Sequence, residues 1–61
     1  MIGICVKTNG QFTLLEDYEI NSHSDEVTVF SDDGCYWFLS YQGDGYYGCI
    51  DSNGKEVSFL V

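Results

Sequence analysis

Three short segments cut the chain into strand-length pieces: Thr8-Asn9-Gly10, Asp32-Asp33-Gly34 and Ser52-Asn53-Gly54. Each ends in glycine preceded by Asn or Asp, and most of the flanking runs alternate apolar and polar residues. Asn, Asp and Gly tolerate the left-handed backbone that tight hairpin loops require. An alternation of period two places one face of a strand against a core. Ile2, Ile4 and Val6 alternate with Gly3, Cys5 and Lys7; Phe12 and Leu14 with Gln11 and Thr13. Val27 and Val29 alternate with Glu26 and Thr28, and Val57, Phe59 and Val61 with Glu56 and Ser58. Cys35-Tyr36-Trp37-Phe38-Leu39 is apolar on both faces, as expected of a central strand covered on both sides. Alanine, the best helix former, is absent. The best chance of a helical turn is Leu15 to Ile20.

Pairing like with like sets the loop length, because a one-residue slip moves every side chain to the other face. A three-residue loop at the first turn pairs Val6 with Phe12 and Ile4 with Leu14. At the second it pairs Val29 with Trp37 and Val27 with Leu39. At the third it sets Asp51 opposite Lys55, Cys49 opposite Val57 and Tyr47 opposite Phe59. A two-residue loop there would pair Ile50 with Val57, but it would face Asp51 with Glu56, and like charges opposed across a ladder destabilise it. Gly10, Gly34 and Gly54 are therefore expected at positive φ. Glu16 to Asp25 and the glycine-rich Ser40 to Gly45 remain as longer connections.

These pieces predict an all-β fold: an antiparallel meander of five or six short strands over residues 1–61, in one domain without tails or linkers. Curling into a small SH3-like barrel would remove the exposed edges. A strongly twisted sheet that dimerises through one face is the alternative. A chain of 61 residues buries only about 60% of its unfolded surface, so the core is thin. Met1 to Lys7 has no basic segment followed by a long apolar one, so no signal peptide is expected. No apolar run approaches a membrane span. The expected location is cytoplasmic, the host cytoplasm if the chain is viral. Cys5, Cys35 and Cys49 show no paired spacing, and an odd number argues against a closed disulfide framework. Reduced, partly buried thiols are expected.

Motifs for chemistry are weak. Gly43-Asp44-Gly45-Tyr46-Tyr47-Gly48 matches G-x-G-x-x-G in letters only, since a dinucleotide site needs a helix after the loop. Gly48 instead suggests a bulge or a close packing contact. His23 lies in a polar stretch with no nucleophile placed by spacing. Three cysteines and one histidine lack the short pairs that hold zinc. Asp32-Asp33-Gly34 lacks the further ligands of a calcium loop. No catalytic residue, cofactor or metal is assigned, and the protein is not expected to be an enzyme.

What remains is charge. Ten acids against two lysines and no arginine give a net charge of −8. Phosphate binding needs cations, so direct nucleic-acid binding is not expected. The acids cluster in turns and connections with tyrosines among them. Acids of this kind can simply keep a small apolar protein soluble by mutual repulsion. They also suit an interface with a basic protein, where charge steers encounter and tyrosine supplies contact area. The partner-binding residues expected on this ground are Glu16, Asp17, Tyr18, Glu19, Asp32, Asp33, Tyr36, Tyr41 and Asp44. The leading function is an acidic binder or inhibitor of a basic partner, one that itself handles nucleic acid. In size and charge the chain resembles phage-type accessory factors. The alternatives are a homodimer or other self-assembling subunit, and an SH3-like peptide-binding module that uses exposed aromatics including Trp37.

Overall fold

The computed structural model describes residues 1–61. Six strands follow one another: β1 (Ile2–Lys7), β2 (Asp17–His23), β3 (Glu26–Phe30), β4 (Tyr36–Gly43), β5 (Tyr46–Ile50) and β6 (Glu56–Leu60). Each pairs antiparallel with the next, and β6 returns to β1, so the sheet closes into a barrel. The fold is all-β and consistent with an SH3-like barrel. Closure leaves no edge strand open to pair with another chain.

The second and third turns follow the sequence-derived register. Val29 faces Trp37 and Val27 faces Leu39. Cys49 faces Val57 and Tyr47 faces Phe59. The Asp51 amide donates to the Lys55 carbonyl at 2.9 Å, closing the loop at Ser52-Asn53-Gly54. Gly34 and Gly54 take φ of +87° and +77°. All three Asx-Gly turns lie at one end of the barrel, because alternate connections of an up-and-down meander share an end. The other end carries two-residue loops. One is Asp44-Gly45, where both residues have positive φ, as a type I′ turn requires.

Several expectations are corrected. The first turn forms, with Gly10 at φ +99°, but no hairpin follows it. Val6 does not pair with Phe12, nor Ile4 with Leu14. Residues 8–16 instead cross the barrel end, and β1 pairs with β2 through Ile2–Glu19, Gly3–Tyr18 and Ile4–Asp17. Leu15 to Ile20 is not helical, and the supposed connection from Glu16 to Asp25 is largely strand. Ser40 to Gly45 is likewise mostly strand and a tight turn. The β1 alternation is inverted as well. Ile2, Ile4 and Val6 point outward, while Gly3 and Cys5 face the core. The reason is space: a Cβ on Gly3 would sit 2.4 Å from Ile20 Cδ1 and 3.2 Å from Phe59 Cβ. A barrel this narrow accepts only small inward residues on β1. On β4, Trp37 and Leu39 face in, but Tyr36 and Phe38 are solvent-exposed, so that strand is covered on one side only. Gly48 does mark a close contact, since a Cβ there would meet the Val57 carbonyl oxygen at 2.5 Å.

The core is Cys5, Phe12, Ile20, Val29, Leu39, Val57 and Phe59. The cysteines are free; Cys5 is buried and Cys49 half-buried, but Cys35 is exposed rather than partly buried. Burial pushes the Cys5 and Cys49 thiols above their usual range. Phe12 comes from the crossing segment and stops the barrel end. Its ring makes edge contacts with Phe59 at 5.1 Å, Tyr18 at 5.2 Å and Trp37 at 6.0 Å. Phe12→Ala is expected to cost about 3–5 kcal/mol, comparable with the whole stability of so small a domain. Phe12→Leu should cost clearly less. Urea midpoints of the two variants test this, and equal, small losses would mean that the ring does not stop the barrel.

Candidate functional site

The carboxylates divide by what they touch. At the barrel end that carries the Asx-Gly turns, three of them are committed to structure. Asp32 accepts the Tyr18 hydroxyl at 2.8 Å on one oxygen and the Thr13 hydroxyl at 2.8 Å on the other. The Thr13 amide in turn donates to the Tyr18 hydroxyl at 2.7 Å. Burial pushes the Tyr18 phenol above its usual range, the Thr13 amide opposes this, and the Asp32 carboxylate adds to it. Asp33 accepts the Ser31 hydroxyl within its own turn. Asp51 accepts the backbone amides of Asn53 and Lys55, each at 2.9 Å, and the Asn9 side-chain amide at 3.0 Å. On the barrel wall, Glu56 pairs with Lys7 at 3.0 Å, the one ion pair in the molecule. The other six acids have no cationic partner.

The sequence-derived binding residues do not form one surface. Tyr18 and Asp32 are joined, but Tyr18 packs inward against Phe12 and Phe59. Asp32 and Asp33 lie in the β3–β4 turn. Glu16 sits just before β2, and Asp17 and Glu19 project outward along it. Tyr41 and Asp44 are at the opposite end, where the Gly45 amide donates to the Tyr41 hydroxyl at 3.1 Å and the Tyr41 ring packs on Tyr47. Of the nine, only Tyr36 lines the concavity on the outer face of β2, β3 and β4.

That concavity is a single open groove of about 480 Å³, lined by Asn21, His23, Glu26, Thr28, Tyr36 and Phe38. The β ladder explains why these residues converge. Asn21 faces Thr28, Thr28 faces Phe38, and His23 faces Glu26. All belong to the outward set of β2, β3 and β4. Phe30 and Tyr36 face each other beside the groove, with rings 4.8 Å apart and nearly perpendicular. Phe30, Tyr36 and Phe38 are 48%, 67% and 65% exposed. Glu19 precedes Asn21 on the same outward face, so the carboxylates of β2 continue the acidic border. Trp37 lies between Tyr36 and Phe38 but turns inward, and its Nε1 is buried without a hydrogen-bond partner. Any aromatic groove here is therefore built by Tyr36 and Phe38.

Asn21, His23, Glu26, Thr28, Phe30 and Phe38 were not singled out from the sequence as binding residues. His23, within the polar stretch expected as a connection, is the last residue of β2. The signal that could have found them was the register itself. Pairing Val29 with Trp37 places Phe30, Thr28, Tyr36 and Phe38 on the other face. Comparisons with protein-family models, curated proteins and solved structures found no match to this chain.

The Lys55 amide and then the Asn9 amide hold the Asp51 carboxyl below the usual carboxylate range. A lowered folded-state pKa contributes stability that is present above the unfolded value, about 4, and is lost as pH falls through the folded value. Wild type should therefore lose more stability than Asp51→Asn between about pH 5 and about pH 2. Urea melts across that range check this, and equal losses would remove Asp51 from the account.

Proposed function

We propose that the protein is a small acidic binding module that docks a basic protein through the outer face of β2, β3 and β4. The observation that carries this reading is the exposure of Phe30, Tyr36 and Phe38 together beside an acid-bordered groove. A thin core gains nothing from three aromatic rings left in water. Exposed apolar clusters rimmed by polar groups mark interaction surfaces, and aromatic residues dominate binding energy at interface centres. The net charge of −8 steers a cationic partner toward the molecule and repels nucleic acid. A nucleic-acid-handling protein, whose binding surface is basic, is the class of partner this charge suits. Occupying that surface would make the module an inhibitor, in the manner of a phage-type accessory factor acting in the host cytoplasm. The reading involves no catalysis.

Self-association is the second reading. It is favoured by the outward Ile2, Ile4 and Val6 of β1 and Leu60 of β6, with Ile4 and Leu60 directly opposed. It requires bringing two strongly acidic chains together, which the first reading does not.

Immobilised protein exposed to a cell extract at low salt is expected to retain proteins with pI above about 9. Raising the salt to roughly 0.5 M should release them by screening. The doubly substituted Tyr36→Ala/Phe38→Ala protein should lose the same proteins while keeping its circular dichroism. Retention by that variant, or a captured set without basic character, would contradict the proposal. A mass that rises with concentration in light scattering and falls in Ile4→Ser would favour self-association instead.

A further inference from the structure

The groove has a more specific chemistry than net charge. Tyr36 and Phe38 alternate on β4, so both rings stand on the outer face. Phe38 is directly across from Thr28, which places Glu26, two residues earlier on β3, at a diagonal position. Diagonal neighbours lie about 7–8 Å apart, within reach of long side chains and ligands. Asn21 and Thr28 supply an amide and a hydroxyl along the floor. Glu26 has no cation of its own: the protein's two lysines lie elsewhere, Lys7 paired with Glu56 and Lys55 in the β5–β6 turn. The groove thus runs from the Tyr36 ring, past Phe38, Thr28 and Asn21 on one rung, to the unpaired Glu26 carboxylate beside His23 on the next.

We infer that this groove is a receptor for an arginine side chain of the partner, its guanidinium lying against Phe38 while donating to the Glu26 carboxylate, with Tyr36 covering its alkyl stem. The inference rests on the basic-partner reading above and narrows it to one residue type. A guanidinium is planar and weakly hydrated. It can stack on a ring and donate two parallel N–H bonds to a carboxylate at once. A lysine ammonium is compact and strongly hydrated, and it gains less from a groove walled by two aromatic rings. The volume of about 480 Å³ falls within the range of sites that accept small ligands or a few side chains. Asn21 and Thr28 add acceptors for the guanidinium protons that Glu26 does not take. His23, opposite Glu26, bounds the groove at the β2–β3 turn.

The test compares an arginine-bearing peptide with the lysine peptide of the same sequence and charge, by isothermal titration against the intact protein at low salt. The arginine peptide is expected to bind about tenfold tighter. Glu26→Gln should abolish that preference, whereas Glu56→Gln, which removes one charge from another part of the barrel wall, should preserve it. Tyr36→Leu/Phe38→Leu keeps the apolar bulk but removes the π faces, and should also abolish it with the urea midpoint little changed. Equal binding of the two peptides would overturn the arginine assignment and leave the basic-partner reading standing. A preference that survives in Glu26→Gln or in the leucine pair would also overturn it, as would failure of both peptides to bind. In that last case the capture experiment decides separately whether the broader reading holds.

Discussion

The Phe12 ring holds the molecule together at the barrel end that carries the three Asx-Gly turns. It touches Tyr18 of β2, Trp37 of β4 and Phe59 of β6, alternate strands around the barrel. Six short strands cannot fill their own interior from one end to the other, and the segment between β1 and β2 provides the missing stopper. That requirement explains the path of the segment. The Thr8 hydroxyl donates to the Phe12 carbonyl, and the Asp32 amide donates to the Gln11 carbonyl. Asn9 reaches Asp51. The segment is thereby tied to both neighbouring turns. Within the barrel, Ile20 and Phe59 leave no room for a side chain at Gly3, so β1 turns Gly3 and Cys5 inward and Ile2, Ile4 and Val6 outward.

The acidity of the chain consequently serves two ends. Asp32, Asp33 and Asp51 accept hydrogen bonds from side chains and amides of the turn end and so fix its loops. Glu16, Asp17, Glu19, Asp25, Glu26 and Asp44 engage no cation and give the surface its field. Those acids are spread around the molecule, whereas Phe30, Tyr36 and Phe38 gather on one face, apart from the exposed Tyr41 and Tyr46 at the other end. The proposed binding face is set by where rings and carboxylates coincide, on the outer side of β2, β3 and β4, rather than by where acids are densest.

Much of this was legible in the sequence. The turns at Asp32-Asp33-Gly34 and Ser52-Asn53-Gly54 fix the register of β3 with β4 and of β5 with β6, because local loop chemistry and face matching agree there. The first turn misleads for a tertiary reason. Thr8-Asn9-Gly10 has the same local chemistry, but the demand for a ring at the barrel end overrides hairpin formation, and nothing in residues 8–16 records that demand. The facing of β1 fails for a related reason: period-two alternation says that two faces differ, not which one is inward, and interior volume decides. The nine residues expected to bind a partner were chosen by local charge and aromaticity. The structure ties Tyr18 and Asp32 into its own turn network and leaves Tyr36 beside the groove. Phe38, Thr28 and Glu26 follow from the β3–β4 register once one face of β4 is wet, a property that its unbroken apolar run conceals.

The claim on which the functional account turns is that ligand recognition occurs on the outer face of β2, β3 and β4. A map of backbone amide shifts by nuclear magnetic resonance, recorded while a basic polypeptide is titrated into labelled protein, tests it most directly. The account predicts saturable changes concentrated at Glu19 to Thr28 and Tyr36 to Phe38, with β1 and β6 little affected. Changes centred on Ile2, Ile4 and Leu60, or spread evenly over every acidic turn, would contradict it.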